Sequence, residues 1–193
     1  MVGYKVTAKI LYVFEKLLFG IKVYGRENVP TEGGYLVACN HISNWDPTTV
    51  GVSFPRQLRF MAKKELFEHQ PLAGIIRMCG AFPVDRSVGD MAALRAAINI
   101  LSEGNCMVMF PEGTRNGGRL LKAKPGVAMI ALHAKVPVIP MFISGKYHPF
   151  GKLRVRIGKP IDLSQYYEKK VRGSELQAIA EDILNVCRAL EVK

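Results

Sequence analysis

The sequence predicts an α/β layered fold, in which a largely buried mixed sheet of about seven strands is flanked by helices and preceded by an N-terminal amphipathic helix. Short apolar runs of strand length alternate with segments of helical periodicity along the chain, and such alternation is typical of a sheet covered by helices. We find no repeat, low-complexity tract or linker in the 193 residues, a length that suits one core. We therefore expect an N-terminal helix over residues 1–20 and a single domain over residues 21–193.

The predicted strands are short apolar runs, and helical spacing of apolar residues predicts the segments between them. The strands are expected at residues 21–24, 35–38, 58–61, 81–84, 107–110, 137–143 and 153–157. The helices are expected at residues 4–19, 47–54, 71–78, 89–102, 125–134 and 174–190.

The last helix has the clearest pattern. Ser174 and Gln177 have the spacing of a capping box at its start. Seven apolar residues then follow a helical stripe that predicts core packing: Leu176, Ile179, Ala180, Ile183, Leu184, Cys187 and Leu190.

The first helix has two contrasting sides. Lys5, Lys9 and Lys16 fall within roughly 40° of one another on a helical projection. This pattern is typical of a helix that lies in a membrane interface, with lysines near lipid phosphates. An ordinary surface helix packed on its own core is the alternative. The opposite side is apolar and contains Val6, Ile10, Val13, Phe14, Leu17, Leu18 and Ile21.

Charge and cysteine content narrow the classes of partner. The chain has 27 Lys plus Arg against 16 Asp plus Glu, a net charge of +11, which favours nucleic acid, acidic lipid headgroups or phosphate-bearing substrates. Its four cysteines show no CxxC pair or zinc-ligand spacing, so we expect reduced thiols and no metal site. The N-terminal apolar stretch is far short of the ~20 residues that cross a bilayer.

The segment NHISNWDP, residues 40–47, follows a predicted strand and contains a candidate catalytic pair. Asp46 with Pro47 resembles a helix N-cap with proline at the first position. His41 and Asp46 would lie roughly 140° apart on one helix, but a loop that turns back brings them together. The aspartate would then fix the imidazole tautomer and leave the other nitrogen to accept a proton. The spacing alone also allows a loop histidine beside a helix cap.

A second candidate segment, residues 110–115, has the sequence FPEGTR and follows a buried strand. Proline and glycine there predict a turn with exposed amides, and Arg115 provides a planar fork suited to phosphate. Glu112 would orient Arg115 or accept from a substrate hydroxyl. Lys124 precedes a predicted helix whose N-terminus adds positive potential. No Walker lysine is present, which excludes a nucleotide P-loop.

Two further segments are weaker when taken singly. GAFPVDR, residues 80–86, is a strand that runs into Arg86, which suits an anion or a surface ion pair with Asp85. VPVIP, residues 136–140, is apolar with two prolines and predicts either a strand entry or a wall of an acyl pocket.

Taken together in this order, NHISNWD, GAFPVDR, FPEGTR and VPVIP resemble the four motifs of the glycerolipid acyltransferase family. The resemblance spans roughly residues 20–160 and is greatest to the bacterial members that acylate lysophosphatidic acid. It implies transfer of a fatty acyl group from acyl-coenzyme A or acyl carrier protein to the sn-2 hydroxyl of a lysophospholipid acceptor, with phosphatidic acid as the product. No other cofactor and no metal is expected.

The resemblance also implies roles for individual residues. His41 would be the general base and Asp46 its partner. The phosphate of the acceptor would be bound by the second and third motifs and a downstream lysine: Arg86, Glu112, Gly113, Thr114, Arg115 and Lys124.

The resemblance favours the interfacial interpretation of residues 4–19. Family members often have longer N-terminal membrane elements, whereas this chain offers one short helix. We therefore expect peripheral or monotopic attachment to an anionic membrane surface, on the cytoplasmic face of the cell membrane.

The chain has no GxSxG nucleophile elbow, so we predict direct transfer without an acyl-enzyme. Glycerol-3-phosphate or another lysophospholipid remains an alternative acceptor. A non-enzymatic module that binds membrane or nucleic acid is the second alternative, although no nucleic-acid recognition element is apparent and we expect no such partner. Its basic patch would comprise Lys146, Lys152, Arg154, Arg156 and Lys159.

Overall fold

In the computed structural model, the chain folds around one mixed sheet, as predicted. The structure describes residues 2–84 and 91–191, and it omits the side chains of residues 2, 3, 5, 72 and 75. Within these residues the sheet has seven strands in the order β1-β7-β6-β2-β5-β3-β4. Their bounds are β1 Lys22–Tyr24, β2 Tyr35–Cys39, β3 Leu58–Lys63, β4 Ala81–Val84, β5 Cys106–Met109, β6 Val138–Ser144 and β7 Arg154–Ile157.

The helices of the described residues also match the predicted pattern. Residues 89 and 90 of the predicted helix 89–102 lie outside the described residues. The helices are α1 Val2–Phe19, α2 Asp46–Ser53, α3 Leu72–Met78, α4 Met91–Ser102, α5 Gly126–Ala134 and α6 Ser174–Ala189, with short 3₁₀ turns at Arg26–Asn28, Lys64–Phe67 and Ser164–Tyr166.

Strand β2 lies in the middle of the sheet and runs parallel to both of its neighbours, β5 and β6. Only the β6–β7 pairing is antiparallel among the described strands. In the β2–β5 register Ala38 pairs with Met109. His41 and Glu112 each lie three residues beyond these partners, so the turns that follow β2 and β5 meet at one edge of the sheet.

The side chains of β2 alternate between two apolar cores, as a strand buried on both faces requires. Leu36 and Ala38 pack with α4, α5 and α6 on one face. Tyr35, Val37 and Cys39 pack on the other face, where α1 and α2 contribute. The sheet is therefore covered on both sides.

Two predicted caps are wrong. Helix α6 has no side-chain cap at its start, because Gln177 instead donates to the carbonyl oxygen of Ala123 at 2.8 Å. Helix α2 begins at Asp46 itself and is not capped by it. The Asp46 carboxylate turns back and accepts from the preceding loop. Other hydrogen-bond partners of Asp46 and Gln177 therefore replace the predicted caps at both helices. Pro47 does lie in the first turn of α2, as expected.

Helix α1 packs on the domain mainly through a side that contains Tyr4, Glu15 and Phe19, and only at its C-terminal end through its aliphatic side. Glu15 and Phe19 are buried, and the Tyr4 hydroxyl donates to the Gly51 carbonyl oxygen of α2 at 3.4 Å. Most of the aliphatic side faces outward, with Leu17 74% exposed, whereas Leu18 and Ile21 pack on the core. Among the helices of the described residues, none is long and apolar enough to cross a membrane. Helix α1 is therefore packed on the core of the domain, while most of its aliphatic side is left exposed.

Candidate active site

His41 and Asp46 are in direct contact at the end of β2. The Nδ1 atom of His41 lies 2.6 Å from Oδ2 of Asp46, so the predicted return of the loop is confirmed. The carboxylate is completely buried, whereas the imidazole is 19% exposed. The pair therefore has one end inside the protein and one end open to an incoming molecule.

The Asp46 carboxylate is held by several donors besides the imidazole. Its Oδ2 accepts from the backbone N–H groups of Ile42 and Ser43 at 2.6 and 2.7 Å. Its Oδ1 accepts from the Tyr147 hydroxyl at 2.8 Å. A carboxylate in such a shell of donors is stabilised as the anion. An anion has no proton to give, so Nδ1 of His41 is the protonated nitrogen and Nε2 is left as an acceptor.

The turn after β5 fixes the main chain of His41. The Glu112 carboxylate accepts from the His41 N–H at 3.0 Å, and the Asn116 N–H donates to the His41 carbonyl oxygen at 2.8 Å. The imidazole also stacks on Phe110, with ring centroids 4.1 Å apart and an angle of 17° between the planes. The third motif and Asn116 just beyond it therefore contact the first motif through one residue, His41.

The contacts of Glu112 differ from those that we expected from the sequence. It is buried, and its Oε1 atom lies 3.6 Å from Nη2 of Arg188 in α6. The Asn116 side-chain amide donates to the same carboxylate at 3.2 Å. The expectation that Glu112 orients Arg115 is wrong within the described residues, since its cationic partner is Arg188. Its predicted contact with substrate stays a prediction.

The remaining predicted phosphate-binding residues lie on the same turn and just beyond it. Thr114 and Arg115 are exposed, and within the described residues the Arg115 side chain makes no hydrogen bond or ion pair. The Lys124 side chain lies along Gly113, where a Cβ would come within 3.0 Å of the lysine Cε. Gly113 has a φ of +71°, a second reason for glycine there. Arg86 lies outside the described residues, so its predicted role stays untested.

Sequence reasoning missed several residues that support the pair. The Asn40 side chain is buried and bonds to both the N–H and the carbonyl oxygen of Ile143 in β6, at 2.8 and 2.9 Å. Its position beside His41 was the available signal. The sequence contained no signal for Tyr147 or Thr49. Tyr147 lies in the loop after β6, and its contacts join residues about a hundred positions apart in the chain.

The thiol nearest the pair is unsuited to nucleophilic attack. Cys39 is completely buried, and burial, followed by the nearby Asp46 charge, raises the pKa of its thiol well above the ordinary value. A thiol that stays protonated is a poor nucleophile. No trio of His, Cys, Asp or Glu side chains in the described ranges is arranged to hold a metal ion.

The chain is similar to known proteins over nearly its whole length. A family model described as Acyltransferase matches residues 20–144. A 1-acyl-sn-glycerol-3-phosphate acyltransferase of Bacillus subtilis is 34% identical over 98% of both chains. The Escherichia coli protein of that name is 30% identical, over 93% of this chain and 79% of its own. A crystal structure of the 1-acyl-sn-glycerophosphate (LPA) acyltransferase from Thermotoga maritima superposes with a TM-score of 0.74 and 31% identity, covering 97% of this chain and 79% of that one.

Proposed function

This chain is a member of the acyltransferase family, and on that premise we propose that it transfers a fatty acyl group to the sn-2 hydroxyl of 1-acyl-sn-glycerol-3-phosphate. The enzymes of Bacillus subtilis and Escherichia coli that it resembles are named for that acceptor. The observation that supports the proposal most directly is the buried Asp46 carboxylate 2.6 Å from Nδ1 of His41. The pair lies beside a turn with Arg115, whose guanidinium has no partner among residues 2–84 and 91–191.

In the proposed reaction His41 acts as the general base. Its Nε2 removes the proton of the acceptor hydroxyl while the oxygen attacks the thioester carbonyl. The new C–O bond forms, the C–S bond breaks, and the thiolate that leaves takes up the proton from the imidazolium. A thiol has an ordinary pKa near 8.5, so the leaving group needs little acid assistance. A positioned histidine base is typically worth about 10²- to 10⁴-fold.

The acceptor phosphate would bind at the turn after β5. Arg115 offers a guanidinium with no partner in the described part of the chain, and Lys124 brings an ammonium close to the same turn. Helix α5 begins two residues after Lys124, and its free N–H groups add positive potential. Binding the phosphate there would place the hydroxyl of the same molecule toward the His41 ring.

The acceptor would be reached from a membrane surface. We define the apolar face as Val6, Ile10, Val13, Phe14, Leu17 and Phe150, all of which are exposed. Phe150 is 91% exposed, and its N–H donates to the Leu18 carbonyl oxygen at 2.8 Å, so the loop after β6 is tied to α1. Lys9 and Lys16 are exposed on the same helix. Aliphatic side chains with adjacent lysines suit an anionic bilayer surface.

The acyl donor would be an acyl thioester of coenzyme A or acyl carrier protein, transferred directly in a ternary complex. The raised pKa of the buried Cys39 thiol, caused mainly by its burial, argues against an acyl-enzyme on that residue. The Ser43 hydroxyl already has a partner, because its oxygen accepts a hydrogen bond from the Trp45 N–H at 3.2 Å.

The test is a substrate matrix with the purified protein and anionic vesicles. Labelled acyl-coenzyme A and acyl-carrier-protein would each be offered lysophosphatidic acid and glycerol-3-phosphate. The proposal expects phosphatidic acid from lysophosphatidic acid with at least one donor. If only glycerol-3-phosphate gave a product, it would replace lysophosphatidic acid as the assigned acceptor. If no donor–acceptor pair gave a product, a non-enzymatic role would be supported.

A further inference from the structure

A chain of polar contacts leads from α1 to the catalytic pair. Oε2 of Glu15 lies 2.7 Å from the Thr49 hydroxyl, and that hydroxyl lies 3.0 Å from the Tyr147 hydroxyl. The Tyr147 hydroxyl in turn lies 2.8 Å from Oδ1 of Asp46. Glu15, Thr49 and Asp46 are fully buried. The chain therefore joins three separate elements, α1, α2 and the loop after β6, and of its four residues only Tyr147 is partly exposed.

The number of available protons indicates which group donates and which accepts at each of these contacts. Three oxygen–oxygen contacts need three protons, and the hydroxyls of Thr49 and Tyr147 supply only two. If Glu15 were a carboxylate, Thr49 would donate to it, and the single proton of the Tyr147 hydroxyl would have to serve both Thr49 and Asp46. A neutral Glu15 supplies the missing proton. Glu15 then donates to Thr49, Thr49 donates to Tyr147, and Tyr147 donates to the Asp46 anion. In this order every contact contains one hydrogen.

The surroundings of Glu15 agree with the neutral form. Its Oε1 atom is buried with no hydrogen-bond partner in the described part of the chain, which costs much less for a neutral acid than for a carboxylate. Burial has the largest effect and raises the pKa of Glu15; the Thr49 and Thr48 hydroxyls lower it, and the charge of Asp46 raises it by a smaller amount. No basic side chain is among the causes that act on it.

We propose that Glu15, Thr49 and Tyr147 form a positioning relay that fixes Asp46 and, through it, the orientation of the His41 ring. The proposal rests on the proposed role of His41 as the base. The relay transfers no proton during the reaction. Its effect is to hold Oδ1 of Asp46 in place by a hydrogen bond, so that Oδ2 faces Nδ1 of His41. Because Glu15 belongs to α1, the helix of the apolar face is also part of the support of the active site.

The experiment compares conservative variants by kcat, KM and the pH profile of kcat/KM. Tyr147→Phe and Thr49→Val each remove one hydroxyl, and each is expected to lower kcat about tenfold, the effect of one lost bond to a charged network. The KM of the acceptor is expected to stay within about twofold. Tyr147→Phe takes one donor from the Asp46 anion, which then interacts more strongly with the protonated His41 ring, so the pH profile of kcat/KM should move to higher pH.

Matched variants separate the relay from simple packing. Glu15→Gln retains a donor to Thr49 and is expected to keep wild-type kcat, whereas Glu15→Ala is expected to behave like Thr49→Val. Thr49→Ser should restore what Thr49→Val loses. Tyr4→Phe removes another hydroxyl between α1 and α2, outside the relay, and should leave kcat and the pH profile unchanged.

The outcomes are distinguishable. A Tyr147→Phe enzyme with the kcat and pH profile of Tyr4→Phe would overturn the relay, and so would equal losses in Glu15→Gln and Glu15→Ala. If Tyr147→Phe does not fold, the contrast between Thr49→Val and Thr49→Ser decides by the same criteria. A His41→Ala enzyme that turns over normally would instead overturn the proposed function, whatever the relay variants do.

Discussion

Glu112 accepts a hydrogen bond from the backbone N–H of His41 at 3.0 Å, so the acid of the third motif holds the residue that the first motif supplies. Because Glu112 is buried and also lies 3.6 Å from Arg188, this contact links the ends of β2 and β5 to helix α6. The third motif thus has a structural task as well as the proposed substrate contacts.

Replacement of Glu112 should affect both stability and turnover. Glu112→Ala leaves the His41 N–H without its acceptor, which costs about 1–3 kcal/mol for a buried donor. Glu112→Gln keeps an acceptor oxygen and should cost less. Thermal unfolding and kcat would be measured for both variants. Wild-type values of both quantities in Glu112→Ala would show that this contact is dispensable.

Removal of the imidazole should abolish most transfer without unfolding the protein. We expect His41→Ala to lower kcat by about 10²- to 10⁴-fold, the usual contribution of a histidine base. His133→Ala is the matched control, because His133 is an exposed histidine of α5. Turnover would be followed with labelled thioester, and circular dichroism would report the fold. Equal turnover in the two variants would exclude His41 as the base.

Removal of either cation of the turn after β5 should weaken binding of the acceptor. Arg115→Ala and Lys124→Ala are each expected to raise the KM for lysophosphatidic acid about tenfold, by loss of a charged hydrogen bond. The KM for a phosphate-free monoacylglycerol should not change. Lys135→Ala serves as the control, since Lys135 lies at the other end of α5 and pairs with Glu168. An unchanged KM in both variants would place the phosphate elsewhere.

Polar substitution on the apolar face should reduce membrane binding while stability is kept. Leu17→Ser loses about 1.5–3 kcal/mol of apolar burial if the side chain enters the bilayer, so partitioning onto anionic vesicles should fall by about 10- to 100-fold. The melting temperature should not change, because Leu17 is 74% exposed. Val186→Ser makes the same kind of change at an exposed position of α6. Sedimentation with vesicles would measure the binding of both variants. Equal binding of Leu17→Ser and Val186→Ser would contradict the assignment of the apolar face to the membrane.

The buried Glu15 predicts a specific dependence of stability on pH. Burial raises its folded-state pKa above the ordinary value of 4.5, so the folded protein keeps a proton that the unfolded chain releases. Its contribution is therefore complete below about pH 4.5 and declines as the pH rises toward the folded-state pKa. Glu15→Gln cannot ionise and should gain stability relative to wild type over that interval. Melting temperatures measured from pH 4 to 9 test this, and a constant difference would refute it.

The sequence was sufficient for the sheet and for the pair at its edge. Strands such as β2 and β5 are buried on both faces, so their apolar runs are continuous and easy to recognise. The loop between His41 and Asp46 is short, which leaves few ways to arrange the two side chains. Both predictions rely on features within about ten residues of one another.

The features that the sequence did not predict depend on distant contacts. The partner of Glu112 is Arg188, which lies 76 positions further along the chain, and the partner of Asp46 is Tyr147. Glu15 interrupts an apolar stretch in the sequence, yet it is buried against α2. The caps of α2 and α6 were wrong for the same reason, because Asp46 and Gln177 have tertiary partners that a local pattern does not show.

The matched offsets of His41 and Glu112 beyond the β2–β5 register constrain insertions and deletions more than substitutions. An added or deleted residue between Ala38 and His41, or between Met109 and Glu112, would carry one end of their hydrogen bond about 3.3 Å along its strand direction. No rotamer of a glutamate could recover that displacement and keep the contact with Arg188. Length variation in this enzyme should therefore be confined to exposed segments such as residues 117–120, downstream of Asn116.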